Sequence, residues 1–190
     1  VQVFFAYYNV DASNIRNQSD VGGGGLLDIG CYCVSSSRWI CDREPERVIG
    51  LFDKDPSFET DRLASGILDF GNGLQASFTC STQVAPYQRI NILGTHGRVE
   101  IDIPFNAPPD RPCRVSLYPG THSDQGRFEP AESQVLDMDI CDQYTLQGEA
   151  ISLAILNDKP VPYGLEDAVG NMRNLEALRQ SNESSAWIVP

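Results

Sequence analysis

The spacing of hydrophobic residues divides the chain into a first strand, a helix, a block of strands and two closing helices. Residues 1–8 are mainly apolar and aromatic, which predicts a strand. A polar loop follows and ends in four consecutive glycines at 22–25. In residues 26–41 the apolar side chains recur mainly three and four positions apart, so we expect a largely buried helix despite Gly30.

Between residues 47 and 136 the pattern changes to that of strands. Residues 74–81 alternate between apolar and polar side chains, and Gly-Asn-Gly at 71–73 predicts a hairpin turn before them. A second hairpin is predicted around Gly-Thr-His-Gly at 94–97. The predicted strands cover residues 47–52, 63–70, 74–81, 89–93, 98–103, 114–118 and 134–136, and the closing helices cover 141–157 and 165–180. This order predicts an α+β fold, with an open, mostly antiparallel sheet and helices packed on one face.

Composition places the chain among ordinary globular domains. Its 190 residues are 41% apolar, which is enough to fill the core of a single domain spanning 1–190. The formal net charge is −12, which argues against a nucleic-acid partner because binding phosphates requires a basic stripe. No apolar run is long enough to span a membrane. The chain starts without an initiator Met or a secretory signal, so we expect it to be part of a longer protein.

Cysteine and histidine usage predicts no disulfide and no metal site. The Cys-x-Cys spacing at 31–33 is not that of a zinc knuckle or a redox motif, and no second pair follows. In a chain long enough to bury a core, we expect reduced thiols that pack as small hydrophobic side chains, and a cytoplasmic location. His96 and His122 have no partner at metal-ligand spacing and are expected to be solvated turn residues.

The glycine run and the helix after it hold the clearest candidate chemistry. The glycines do not match the G-x-G-x-x-G fingerprint of dinucleotide-binding folds. They therefore allow a close approach, either of backbone to backbone or of a ligand. On an α-helix, Asp28 and Tyr32 share one face, one turn apart. A phenol there can act as a general acid or base beside a cation and a helix N-terminus, because both favour the phenolate.

Structural roles for the same residues remain open. Asp28 also fits as a cap of the first helical turn, and Tyr32 fits as a core aromatic whose hydroxyl is hydrogen-bonded. The Ser, Thr and Gln face of the strand at 74–81 fits either simple solvent exposure or a flat surface for a partner. The residues alone do not choose between these alternatives.

Four segments carry a resemblance to a known family. They are Asn-Ile-Arg at 14–16, Gly-Gly-Gly-Gly-Leu-Leu-Asp-Ile-Gly-Cys-Tyr-Cys at 22–33, Gly-Leu-Gln-Ala-Ser-Phe at 73–78 and Ile-Leu-Gly-Thr-His-Gly-Arg-Val at 92–99. Together they resemble the C-terminal domain of the glucose–fructose oxidoreductase/inositol dehydrogenase (Gfo/Idh/MocA) family. A tyrosine rather than a histidine at 32 is similar to the branch that holds glucose–fructose oxidoreductase and dihydrodiol (D-xylose) dehydrogenase.

The resemblance implies a two-domain oxidoreductase, in which residues 1–190 are the C-terminal substrate-binding and oligomerisation domain. NAD or NADP would be bound mainly by an N-terminal Rossmann domain, which is absent from this chain along with the lysine of its Glu-Lys-Pro motif. No cofactor-binding residue is implied in this chain, which would be inactive alone. The open sheet face would be the interface of a homo-oligomer, and neither nucleic acid nor a membrane is implied as a partner.

The resemblance also implies roles for individual residues. Tyr32 matches the family's catalytic tyrosine, which accepts a proton from a substrate hydroxyl while hydride passes to nicotinamide. Asp28 matches the aspartate beside it, which orients the substrate or the lysine. Asn14 and Arg16 are implied to bind hydroxyls of the substrate, a sugar or a cyclic diol.

The chain offers two more candidate pocket residues and one alternative to an enzyme. Gln143 and Tyr144, at the start of the penultimate helix, are additional candidates for the same substrate pocket. In place of an enzyme, the chain also fits a non-catalytic binding or assembly domain that dimerises through its sheet.

Overall fold

The computed structural model describes all 190 residues, which divide into two compact units. The first unit comprises residues 1–88 and 168–190, and the second comprises residues 89–167. Strands and helices are both abundant and the strand pairs are mostly antiparallel, so the predicted α+β class is confirmed. The prediction that residues 1–190 form a single domain stays a prediction.

Nine strands and three α-helices make up the regular structure. The strands are β1 (Gln2–Tyr8), β2 (Arg47–Lys54), β3 (Asp61–Asp69), β4 (Gln75–Ser81), β5 (Gln83–Gly94), β6 (Gly97–Ile101), β7 (Arg114–His122), β8 (Phe128–Pro130) and β9 (Gln134–Asp137). The helices are α1 (Cys31–Cys41), α2 (Gln143–Leu156) and α3 (Leu165–Ser184). Two 3₁₀ turns, Ile15–Asn17 and Ser19–Val21, lie in the loop after β1, and a π-helical turn, Leu26–Gly30, runs directly into α1.

The sheet of the first unit has the strand order β2-β3-β4-β1, with the first half of β5 beside β1. Strands β3 and β4 form the predicted hairpin around 71–73, where the backbone N–H of Phe70 donates to the carbonyl of Leu74 at 2.9 Å. Strand β1 pairs with β4 in parallel, with Gln2 opposite Ser77. The sheet is therefore mixed, which the hairpin pattern alone does not predict.

The core of the first unit lies between this sheet and its helices. Alternate residues of β1 and β4 point inward, and Cys33 and Val34 of α1 and Leu175 and Leu178 of α3 are buried. The inward side chains of the two strands are Val3, Phe5, Ala76, Phe78 and Cys80. Buried Cys33 and Cys80 act as small hydrophobic residues, as predicted, and none of the cysteines forms a disulfide.

Helix α3 also covers the outer edge of the sheet at β2. The backbone N–H of Gly50 donates to the Ser181 hydroxyl at 3.0 Å, and that of Phe52 donates to the Asn182 side-chain oxygen at 2.8 Å. Val48 forms a β-bridge with Ile188 after the helix. An exposed edge strand offers unpaired backbone groups to other chains, so these contacts satisfy the edge from within the chain.

The second unit contains the later strands and α2. Its strand order is β5-β6-β7-β8, and β9 also pairs with β7. The predicted hairpin at 94–97 joins β5 to β6, with Gly94 opposite Gly97. Helix α2 exposes most of its apolar residues, and Ala154 is its one buried residue. None of the three helices has both the length and the apolar character of a membrane span.

The structure corrects three of the predicted elements. The predicted helix at 26–41 is not α-helical throughout, because its first five residues form the π turn. The predicted strand at 89–93 begins earlier, at Gln83, despite Pro86. The short strand β8 falls in a region predicted as loop, and its residues are exposed, so they carry no alternating apolar signal.

Candidate active site

Side chains from three segments of the first unit meet at the carboxylate of Asp28. The phenol of Tyr7, on β1, donates a hydrogen bond to Asp28 Oδ2 at 2.5 Å. The guanidinium of Arg16, on the first 3₁₀ turn, donates from Nε to Asp28 Oδ1 at 2.8 Å. Asp28 itself lies in the π turn, with its side chain 17% exposed. Each carboxylate oxygen is thus engaged by a different partner, and the partly buried charge is compensated.

Asn14 shapes the turn that presents Arg16. Its side-chain oxygen accepts a hydrogen bond from the backbone N–H of Arg16 at 3.1 Å, so Asn14 is the N-cap of the turn. The structure therefore places the two predicted substrate-binding residues of this loop together, but with the Asn14 side chain turned to the backbone. Binding of substrate by either residue stays a prediction.

The π turn is capped from a distant strand. Asp61 of β3 accepts a hydrogen bond from the backbone N–H of Leu26 at 2.5 Å. Burial raises the pKa of Asp61, and the hydrogen bond from Leu26 partly offsets that effect. Asp28 is therefore not the helix cap, which removes one of the two structural roles considered for it. A π turn is rare and is found disproportionately at functional sites.

The glycine run serves close packing of the chain on itself. A Cβ at Gly23 would lie 2.6 Å from the carbonyl oxygen of Gln18 and 2.7 Å from that of Arg16. Gly24 has a φ of +125°, and a Cβ there would collide with the Asp61 carboxylate. At these two positions the close approach is to this chain's own atoms, so they do not form a cradle for phosphate groups.

Tyr32 lies in the first turn of α1 with its residue surface 51% exposed. One edge of its ring contacts Phe5 of β1, with the ring centres 5.9 Å apart. Tyr32 is therefore not a core aromatic, because half of its residue surface is exposed. Asp28 precedes Tyr32 in the π turn, so the segment that joins them is not the continuous α-helix that was predicted. That the two side chains share one face stays a prediction.

The charged groups of this cluster act differently on the phenols of Tyr7 and Tyr32. Burial raises the pKa of the Tyr7 phenol, and the hydrogen bond to Asp28 and the charge of Asp28 raise it further. The same carboxylate raises the pKa of Arg16 and keeps the guanidinium charged. Tyr7 is therefore a hydrogen-bond donor that holds its proton. The charge of Arg16 also interacts with the Tyr32 phenol, which places a cation within electrostatic range of it.

A hollow of about 220 Å³ opens beside Arg16 and Asp28. The exposed apolar side chains of Ile15, Val21 and Leu27 line it together with Gly22 and Gly23. The hollow thus combines one ion pair with an apolar rim. Ligand sites commonly have this composition, with a few polar groups among apolar walls.

The remaining predicted site residues lie in the second unit. Gln143 and Tyr144 begin α2, where Gln143 Nε2 donates to the carbonyl oxygen of Phe105 at 3.0 Å and Tyr144 is exposed. Their part in the substrate pocket stays a prediction. His96 and His122 are exposed, but they contact each other edge to face at 5.4 Å, which the sequence did not predict. No group of three or more His, Cys, Asp or Glu side chains could hold a metal ion.

Sequence reasoning missed two residues of this cluster, Tyr7 and Asp61. For Tyr7 a signal exists: it follows Val3 and Phe5 at alternate positions of one strand, so its side chain lies on the inward face, where a phenol needs a partner. For Asp61 no local signal exists, because it is the first residue of an ordinary strand and caps a turn 35 residues earlier in the chain.

Comparison with known proteins identifies the family. A sequence model described as the GFO/IDH/MocA C-terminal domain matches residues 1–100. An uncharacterized oxidoreductase of Rhizobium meliloti is 37% identical over 187 residues, which are 98% of this chain and 54% of that protein. A D-xylose 1-dehydrogenase (NADP(+)) of Haloferax volcanii is 27% identical over 182 residues, 93% of this chain and 51% of that protein. A trans-1,2-dihydrobenzene-1,2-diol dehydrogenase of Mus musculus is 30% identical over 103 residues, 53% of this chain and 31% of that protein.

Solved structures share the fold at lower sequence identity. The aldose-aldose oxidoreductase from Caulobacter crescentus, complexed with glycerol, has a TM-score of 0.79 and 22% identity, covering 100% of this chain and 54% of that one. A 3-ketoreductase from Actinomadura kijaniata, in complex with NADP and TDP-benzene, has a TM-score of 0.82 and 22% identity, covering 95% of this chain and 52% of that one. The chain spans about half the length of these two structures. On the family match and the Rhizobium relative, the chain belongs to the GFO/IDH/MocA C-terminal domain family.

Proposed function

We propose that this chain is the substrate-binding part of an NAD(P)-dependent oxidoreductase that acts on a CH–OH group of a sugar or a cyclic diol. The observation that carries the proposal is the cluster of Tyr7, Arg16 and Asp28 beside an accessible Tyr32, in a family with dehydrogenases of D-xylose and of a dihydrodiol among the relatives of this chain. In this assignment Tyr32 accepts the proton of the substrate hydroxyl at its phenolic oxygen.

Arg16 has two tasks in this proposal. Its positive charge favours the ionised form of the Tyr32 phenol, because opposite charges attract. Its Nε is bonded to Asp28 while its side chain is 48% exposed, so its terminal N–H groups are available to donate to substrate oxygens. Because Asp28 balances the charge of Arg16 and both of its carboxylate oxygens are engaged, the pair suits a neutral polyol whose oxygens accept from the guanidinium.

The residues of this chain do not fit a dinucleotide cofactor. Gly23 and Gly24 pack against the chain itself, and the net charge of −12 disfavours a diphosphate. We therefore propose that an N-terminal domain of the full-length protein binds NAD or NADP and supplies the lysine of the Glu-Lys-Pro motif. This chain binds and orients the substrate and takes up its proton.

The experiment that tests this function is a cofactor and substrate panel. Full-length protein is incubated with NAD and with NADP, each against a series of pyranoses and trans-diols, and reduced nicotinamide is followed by absorbance at 340 nm. We expect turnover with one substrate class, and none from residues 1–190 alone. Silence across the panel from a folded full-length protein would contradict the proposal and favour the non-catalytic assembly domain.

We also propose that the protein self-associates through the open face of the sheet of the first unit. The open face consists of side chains that point away from the helices: Phe4, Leu51, Ser65, Ile67, Ser77 and Thr79. Strand β4 contributes the predicted polar residues, but the neighbouring strands contribute exposed apolar ones, and a groove of about 500 Å³ runs across them. An apolar patch of this kind on a soluble protein favours burial against a second copy.

A further inference from the structure

We propose that Tyr7 is a positioning residue, which holds the Asp28 carboxylate in place and through it aims the Arg16 guanidinium at the substrate. The inference rests on the proposed function, because it concerns how that same site grips its substrate. It assigns a task to a residue that no motif in the chain singles out.

Tyr7 is held on a rigid part of the fold. Tyr7 lies on β1, an interior strand of the first unit that pairs with β4. Val3 and Phe5, on the same face of the strand, are buried in the core, so the backbone that carries Tyr7 is fixed by packing. Its hydroxyl reaches the π turn and donates to Asp28 Oδ2 at 2.5 Å. The sheet thus holds the Asp28 carboxylate in place through the Tyr7 hydroxyl.

The Arg16 side chain has little support from its own segment. Arg16 lies in a three-residue 3₁₀ turn of an exposed loop, and Asn14 holds only its backbone. A long guanidinium side chain loses much rotamer freedom when it is held in one orientation. Asp28 Oδ1 is the acceptor that holds Arg16 Nε, at 2.8 Å. A carboxylate held at its other oxygen restrains that guanidinium better than one free to rotate.

Tyr7 itself is not the proton acceptor. A proton acceptor must be able to lose its proton, but the Tyr7 hydroxyl donates to a carboxylate, and burial and Asp28 both oppose its ionisation. A residue needed only for packing would require the ring and not the hydroxyl. The hydroxyl of Tyr7 therefore acts on Asp28, whereas proton transfer belongs to the accessible Tyr32.

A double-mutant cycle in the full-length protein tests the inference. We expect Tyr7→Phe to raise the KM for the polyol substrate about tenfold, as for loss of a hydrogen bond to a charged group. We expect kcat to change less than threefold, with its pH profile unchanged, because Tyr32 remains intact. In an Arg16→Gln background the same Tyr7→Phe change should leave KM unaltered, because the guanidinium that Tyr7 positions is gone.

The matched control is Tyr8→Phe, which removes a hydroxyl from the next residue of the strand, on the opposite face of the sheet. It should leave KM and kcat unchanged. An unchanged KM in Tyr7→Phe would overturn the inference. A Tyr7→Phe effect that persists in the Arg16→Gln background would also overturn it, since Tyr7 would then act independently of Arg16.

A measurement without turnover separates this inference from the proposed function. In full-length protein labelled with ¹³C at the tyrosine ζ carbons, the Tyr7 resonance should not titrate up to pH 11. In Asp28→Asn it should titrate at a lower pH than in the unsubstituted protein, because the charge of Asp28 is gone, but still above the ordinary tyrosine pKa of about 10, because the phenol remains partly buried. Titration of Tyr7 near pH 10 in the unsubstituted protein would refute the hydrogen bond, whether or not the enzyme is active. If no substrate in the panel is turned over but the Tyr7 resonance does not titrate, the proposed function is refuted and the hydrogen bond from Tyr7 to Asp28 is still supported.

Discussion

The carboxylate of Asp61 caps the backbone N–H of Leu26, and so a residue of β3 fixes the start of the helical segment that carries the candidate active site. The two groups are 2.5 Å apart and lie 35 positions apart in the sequence. Asp28 and Tyr32 follow within the next six residues. The orientation of both side chains therefore depends on a contact between the helix and the sheet, in addition to the local sequence.

This cap predicts a specific pH dependence of stability. Burial raises the folded-state pKa of Asp61, so the folded protein binds its proton more tightly than the unfolded chain does. The stabilising contribution of protonated Asp61 is complete below the ordinary aspartate pKa of about 3.9 and is lost as the pH rises through the raised value. Asp61→Asn, which cannot ionise, should therefore gain stability relative to the unsubstituted protein as the pH rises through this window.

Thermal unfolding of both proteins at a series of pH values between 3.5 and 7 measures this difference. Lys54 is the cation whose charge lowers the pKa of Asp61, against the effect of burial. If the melting temperature of Asp61→Asn minus that of the unsubstituted protein stays constant or falls as the pH rises, the assignment is contradicted.

Gly24 should tolerate no side chain. Its φ of +125° is unfavourable for any L residue, and a Cβ would run into the Asp61 carboxylate. We expect Gly24→Ala to lower the free energy of unfolding by at least about 2 kcal/mol, because strain and collision add. Gly73→Ala is the control, since Gly73 has a φ of +79° but no atom near its Cβ position. It should cost only about 1 kcal/mol in urea unfolding, and equal losses would exclude the collision with Asp61.

Buried Arg38 of α1 is paired with Glu44, in the loop between α1 and β2. The Arg38 side chain is 6% exposed, and its Nε and Nη2 donate to the two carboxylate oxygens of Glu44 at 2.8 and 2.5 Å. Glu44→Gln removes a charged acceptor from that guanidinium. We expect a loss of about 2 kcal/mol at pH 7, less than for a fully buried pair because the Glu44 side chain is 56% exposed.

The hydrogen bond from Arg38 lowers the pKa of Glu44 in the folded protein, so the effect of the substitution should depend on pH. The contribution of Glu44 is present above the ordinary glutamate pKa of about 4.3 and is lost as the pH falls through the lowered value. The stability difference between the two proteins should therefore narrow below pH 4. Glu183→Gln, at an exposed partner of Arg179, is the control and should cost about 0.5 kcal/mol or less. Equal costs for the two substitutions would contradict the larger contribution expected of the pair of Arg38 and Glu44.

A single charged substitution on the open face tests whether the protein self-associates through it. Leu51 is 76% exposed, so Leu51→Glu should not disturb folding, but it would place a carboxylate in the apolar groove. Sedimentation equilibrium should show oligomers of the unsubstituted protein and monomers of the variant, because burying an unpaired charge in an interface is costly. Val189→Glu, at an equally exposed residue near the C-terminus, should remain associated. A strict monomer before substitution would refute the interface.

The sequence predicts those parts of the fold that depend on short-range patterns. Alternation in β4 and the glycine turns at 71–73 and 94–97 locate strands and hairpins well, since each depends on neighbouring residues. The parallel pairing of β1 with β4 is different, because Gln2 and Ser77 are brought together only by the whole sheet. The pattern of residues within β1 does not predict which strand it pairs with.

The candidate site divides in the same way. Asp28 and Tyr32 are recognisable from their residue types and spacing, and Arg16 from the resemblance of its segment to a family motif. The partner of Asp28 is not recognisable, because Tyr7 is reached through the sheet and lies 21 positions away. The π turn is likewise invisible to a pattern of threes and fours, because its cap, Asp61, comes from another strand.

Replacing Tyr32 tests the central claim most directly. In the full-length protein, Tyr32→Phe should lower the rate of reduced-nicotinamide formation by at least about 100-fold, because a general base contributes that much or more. The circular dichroism spectrum should not change, since the Tyr32 surface is half exposed. Tyr8→Phe, measured in parallel, should retain full activity. Near-parental turnover in Tyr32→Phe would contradict the assignment of proton transfer to this residue, and with it the account of the site.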